Sequence, residues 1–139
     1  MKFTIIPYVG VDKIHFGMQR DQVRSCLGGM FKEFRKSSDS LNTTDAFDGV
    51  HIYYNEDNCC EALEFFSPSE VMFNGYNIIG FAYSLGKKIF EAESTAITED
   101  AYGLDARDLG VGLYAPDYED DSEALIQGVF VYRRGYYNQ

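Results

Sequence analysis

The chain has 139 residues, 45% hydrophobic and 16% aromatic, with 11 Tyr, 11 Phe and no Trp, and a formal charge of -10. That is the size and composition of one soluble domain able to bury its own core, and no apolar run approaches a membrane span. Residues 91–123 hold eleven acidic side chains against one basic residue, Arg107, so this segment carries the whole net charge and the remainder balances. A field of that sign repels nucleic acid and anionic membrane and favours a basic partner.

In chain order, "MKFTIIPY" reads as a short strand that Pro7 ends or confines to an edge. Residues 19–27 read as a helix, with Met18, Val23, Cys26 and Leu27 near helical spacing and Gly28 as its stop. "MFKEFRKS" reads as a strand, and residues 38–49, "SDSLNTTDAFDG", as a polar loop. Residues 49–66 give the clearest hairpin, two β-branched and aromatic runs about Asn55-Glu56-Asp57-Asn58. Asn74-Gly75 marks a second tight turn. Residues 79–94 read as a helix whose apolar face is Phe81, Leu85, Ile89 and Ala92. Residues 98–115 hold one or two strands, and residues 123–133 the last.

Two stretches echo each other. Gly49-Val50 and Gly110-Val111 stand 61 residues apart, and Cys60-Glu61-Ala62-Leu63 and Ser122-Glu123-Ala124-Leu125 stand 62 apart. Each follows a predicted helix. The expected fold is therefore one α+β domain over 1–139. It has a mostly antiparallel sheet with two helices packed on one face. It is built from a helix–hairpin unit that duplication would place at about 14–73 and 79–134.

The stretch "IHFGMQRDQVRSCLGG" resembles the helix signature of small helix-plus-sheet modules. These are the SmpA/OmlA-type assembly lipoproteins and the duplicated β-lactamase inhibitory proteins, and the shared residues are Gly17, Val23, Leu27 and Gly28. The likeness covers about a tenth of the chain and implies a layered fold; it lacks the lipobox of the lipoproteins. In size, charge and texture the chain also resembles small acidic bacterial immunity proteins, which neutralise secreted toxins.

Catalytic motifs are few. His51 and Cys60 face each other across the predicted hairpin and form the one arrangement suggestive of an enzyme. No helix N-terminus or orienting carboxylate activates the thiol, so no catalytic residue is assigned. Three cysteines without a CxxC pair and two separate histidines give no metal site, and no motif calls for a cofactor. The expectation is a cytoplasmic, non-catalytic binding protein that blocks a basic toxin such as a nuclease. Its contact residues are Glu56, Asp57, Asp117, Tyr118, Glu119, Asp120 and Asp121. The alternatives are a regulatory or scaffold module that forms a homodimer through a sheet edge and, second, a small enzyme using His51 and Cys60.

Overall fold

A computed structural model describes residues 1–138. Two sheets and two short helices make up the fold. The small sheet runs β2 (Gly10–Val11), β1 (Lys2–Ile6), β7 (Glu70–Phe73), β8 (Tyr76–Asn77), with β1 and β7 parallel. The large sheet is antiparallel throughout and has eight strands. In spatial order they are β3 (Lys32–Phe34), β4 (Thr44–Phe47), β5 (Val50–Tyr54), β6 (Cys60–Phe66), β12 (Gly128–Tyr132), β11 (Val111–Tyr114), β10 (Gly103–Ala106) and β9 (Ile97–Asp100). The helices are α1 (Arg20–Leu27) and α2 (Tyr83–Glu91), and a 3₁₀ turn, Tyr136–Asn138, follows β12.

This corrects the expected α+β layer. The protein is mostly β, and its helices do not form a layer on one face of the sheet. The reason lies in the aromatic and β-branched runs, which pair as strands wherever side chains can pack across them. The small sheet packs against the inner face of the large one instead. Phe3 of β1 meets Phe65 of β6 with ring centroids 4.8 Å apart. Phe73 of β7 stacks on Phe90 of α2 at 4.4 Å.

Strand alternation divides the large sheet into two faces. The inner face carries one row of Phe47, Val50, Phe65, Val129, Leu113 and Leu104 across successive strands, and all six are buried. A second inner row runs Asp45, Ile52, Leu63, Val131, Val111 and Ala106, also buried. The outer face carries His51, Tyr53, Glu64, Phe66, Phe130, Tyr132 and Tyr114.

Four local readings also change. Residues 38–49 are not all loop, because β4 forms inside them. Its polar sequence hides the strand: Asp45 faces inward and is fully buried, held by cations rather than by apolar neighbours. α2 buries Tyr83, Gly86 and Phe90, while Leu85 is exposed. Gly86 turns this face inward, because a Cβ there would stand 2.4 Å from Cδ1 of Ile126. The segment 98–115 supplies three strands, and the last strand shortens to Gly128–Tyr132.

The two halves of the large sheet are built alike, each a helix followed by a four-stranded meander rather than by one hairpin. Backbone bonds fix the correspondence. Gly17 N–H donates to Cys60 O (2.9 Å), Cys60 N–H to Met18 O (2.9 Å) and Arg20 N–H to Asn58 O (3.0 Å). Gly80 N–H donates to Ile126 O (2.9 Å), Ile126 N–H to Phe81 O (2.8 Å) and Tyr83 N–H to Ala124 O (2.8 Å). Cys60 thus corresponds to Ile126, and the match of Cys60–Leu63 with Ser122–Leu125 is out of register. The loop between β11 and β12 is longer than the turn between β5 and β6, and the extra residues fall in the acidic stretch.

The inner Asp45 is the polar anchor of the first half. Arg24 Nε donates to its Oδ2 (2.8 Å), Arg24 Nη2 to Oδ1 (2.7 Å), and Tyr54 Oη to Oδ2 (2.9 Å). Arg20 Nη1 lies 3.3 Å from Oδ1. Removing one member leaves the others charged and buried, so Asp45→Ala is expected to cost about 3 kcal/mol or more in denaturant unfolding. A loss below about 1 kcal/mol, the ordinary range of an exposed pair, would show that the cluster does not anchor α1.

Candidate functional site

The inner face is filled by the small sheet and the core; the outer face is covered only where Tyr53, Ala62 and Tyr132 are buried with Tyr8, Phe130 and Tyr136 packed against them, and elsewhere it meets solvent. Over β9–β12 this face sinks into an open groove of about 670 Å³. Glycines form its floor: Gly103 of β10, Gly112 of β11 and Gly128 of β12. Phe66, Phe130, Tyr102, Tyr114 and Tyr137 line it with rings. Tyr102 and Tyr114 are both exposed and stack with centroids 6.3 Å apart.

Three carboxylates on the outer face line the same groove. Asp105 Oδ1 accepts a bond from Tyr132 Oη (2.7 Å), and its Oδ2 accepts one from Arg107 Nε (3.0 Å). Glu64 Oε1 accepts from Tyr53 Oη (2.8 Å) and lies 3.5 Å from His51 Nδ1. Asp100 Oδ1 accepts from the N–H groups of Tyr102 (2.8 Å) and Gly103 (3.1 Å). Glu99 also borders the groove, but Tyr83 Oη and Lys87 Nζ hold its two oxygens. Sequence reasoning did not single out this groove. The available signal was glycine at 103, 112 and 128 among aromatic residues, inside or beside the acidic segment.

The residues expected to make contact divide between two places. Glu56 and Asp57 sit exposed at the β5–β6 turn. Asp117, Glu119, Asp120 and Asp121 sit exposed on the β11–β12 loop. Strands β6 and β12 run antiparallel, with Phe66 opposite Gly128 and Ala62 opposite Tyr132. The two acidic tips therefore lie at opposite ends of the sheet and do not merge into one patch. Tyr118 is half-buried: its ring packs 4.2 Å from that of Tyr83, and its hydroxyl donates to Asp100 O.

The acidic loop has a local structural cause. It lies at the N-terminus of α2, where Ala124 O and Ser122 O accept the otherwise unpaired N–H groups of Tyr83 (2.8 Å) and Ser84 (3.1 Å). No acidic side chain occupies the first turn of α2 itself. Glu123, which accepts from Ser84 Oγ (3.1 Å), supplies negative charge that this helix end favours.

The His51–Cys60 arrangement does not form. His51 lies on the outer face between Phe34 and Phe66, with centroids at 5.2 and 4.8 Å. Cys60 points to the core, and burial pushes its thiol up to about 12. Among the described residues, no group of three or more His, Cys, Asp or Glu could hold a metal ion. No described helix is long and apolar enough to cross a membrane. No protein-family model, curated protein or solved structure matches this chain.

Four buried tyrosines bond carboxylates: Tyr53 to Glu64, Tyr54 to Asp45, Tyr83 to Glu99 and Tyr132 to Asp105. Burial first, and then the neighbouring carboxylate, pushes each phenol above its ordinary value. Unfolded, such phenols ionise near pH ~10. The stability they contribute is complete below that value and is lost as pH rises through the folded values. Denaturant stability is expected to fall above pH ~10, with these four phenols ionising only as the protein unfolds. Ultraviolet titration showing all 11 tyrosines ionising together, with the far-ultraviolet dichroism unchanged, would contradict this.

Proposed function

We propose that the chain is a non-catalytic binding protein of the immunity or inhibitor type, which neutralises a basic protein by covering its functional surface. The observation that carries the reading is the placement of charge around the groove. Glu64, Asp100 and Asp105 line it among exposed aromatic rings, and the Asp117–Asp121 loop starts and ends at its lining residues Tyr114 and Gln127. Aromatic rings supply desolvated contact, and carboxylates select the partner and speed its arrival. Lysines and arginines that a nuclease uses to hold phosphate fit this description. Glu56 and Asp57, at the far end of the sheet, make a secondary rim in this reading.

The test is titration against a panel of small basic nucleases, with acidic proteins of equal size as controls. A basic member should form a complex and lose its activity. Neutralising the loop by Asp117→Asn, Glu119→Gln, Asp120→Asn and Asp121→Asn should slow association about tenfold at low salt, and far less at ~0.5 M salt. Absence of any complex, or a complex indifferent to both changes and salt, would overturn the reading.

A further inference from the structure

The two halves of the outer face correspond strand for strand, and they differ at one place in a way that defines a ligand. In the first half the row Ala46, His51, Glu64 crosses β4, β5 and β6. In the second half the matching row is Asp105, Gly112, Phe130 on β10, β11 and β12. Phe34 of β3, opposite Thr44, corresponds to Asp100 of β9, opposite Gly103. The first half fills its centre with the His51 ring, clasped by Phe34 and Phe66. The second half has a glycine where that ring would be, and carboxylates where the first half has Ala46 and Phe34.

Gly112 and Gly128 are not required by the backbone. A Cβ on Gly112 would meet nothing closer than 3.6 Å, and one on Gly128 nothing closer than 3.5 Å, which are ordinary contacts. Neither has a positive φ. At Gly112 the missing side chain leaves space between aromatic walls and carboxylates, while Gly128 is buried beneath the Tyr114 side chain. The chain's own Arg107 already shows which group suits these walls. Its Nε bonds Asp105 (3.0 Å) and its guanidinium lies over the Tyr137 ring at 5.1 Å.

We propose that the groove over Gly112 and Gly128 receives an arginine side chain of the partner, its guanidinium bonded to Asp105 and Asp100 and stacked on the aromatic wall. This rests on the binding reading above and names the group that is bound. Arginine suits it better than lysine, because its planar fork meets carboxylate oxygens and its face meets rings. Cation–π contact of this kind strengthens as the site is closed from water. Arg107 competes for Asp105 and repels a second guanidinium, so it weakens the site.

The test uses the full chain, ¹⁵N-labelled, titrated with the capped tripeptide Gly-Arg-Gly and with its citrulline counterpart, which keeps the shape and removes the charge. Saturable shifts are expected at the amides of Gly103, Gly112 and Gly128 with arginine, at a Kd on the order of millimolar, and not with citrulline. Gly112→Leu should abolish them and Gly112→Ala reduce them, while the rest of the spectrum stays in place. Arg107→Ala should tighten binding several-fold. Shifts confined to the 117–121 loop, equal response to citrulline, or no response up to ~50 mM would overturn the arginine groove. A basic protein bound equally well by Gly112→Leu would overturn the groove alone and leave the binding reading standing. An occupied groove with no basic protein bound would do the reverse.

Discussion

A single joint, an ion pair between a helix and the edge strand that follows it, is used twice, once in each half. In the first half Arg24 of α1 reaches Glu33 of β3 at 3.0 Å. In the second half Lys87 of α2 reaches Glu99 of β9 at 2.8 Å. Thr43 and then Arg24 hold the Glu33 carboxyl below its usual range, and Lys87 and then Tyr83 do the same for Glu99. Partly exposed pairs contribute little one at a time. Their role here is to set where each helix lies, so that the backbone bonds to Cys60 and Ile126 can form.

Beneath that joint the halves use different chemistry. Asp45, fully buried, sits where the second half has Leu104, and Arg20 sits where the second half has Tyr83. A buried ion cluster and a Leu and Tyr, with only the Tyr83 hydroxyl bonded to a carboxylate, can support the same geometry, because the cost of desolvating charges roughly cancels their attraction. What differs is tolerance. The apolar version survives trimming at the cost of a cavity, whereas the polar one leaves stranded charge. The first half also packs His51 into its outer face, between Phe34 and Phe66. The second half has Gly112 at that position, and the groove opens there.

The sequence made the paired parts legible and hid the parts that depend on contacts between distant residues. The hairpin at 49–66 and the turn at Asn74-Gly75 were readable, since local turn chemistry and alternation set both. Both helices were readable in position. β4 was not, because Asp45 looks like a loop residue until Arg20 and Arg24 arrive from 21–25 positions away in the chain. The buried face of α2 was misread for a related reason: Gly86 and Tyr83 face inward only because Ile126 and Glu99 are there to meet them. The acidic segment was plain in the sequence, while the groove it borders was not. Its glycines are spread over three strands, and only the register brings Gly103, Gly112 and Gly128 onto one face.

The concentration of negative charge between residues 91 and 123 then has two separate physical consequences. Glu123 accepts from Ser84 Oγ (3.1 Å) at the positive end of α2, so part of the charge is matched within the fold. Glu99 is spent on Lys87 and Tyr83, and Asp108 on Ser94 and Thr95, whose bonds hold its carboxyl below the usual range. Asp100 and Asp105, joined by Glu64 of β6, line a concave, ring-lined space, where fields are less screened than on an open loop. Loop charge acts at long range and fades with salt; groove charge acts at contact and resists it. A partner drawn by the first and held by the second would arrive faster at low salt yet leave slowly at any salt. That division of labour follows from where the sheet register puts each carboxylate, and not from the size of the net charge.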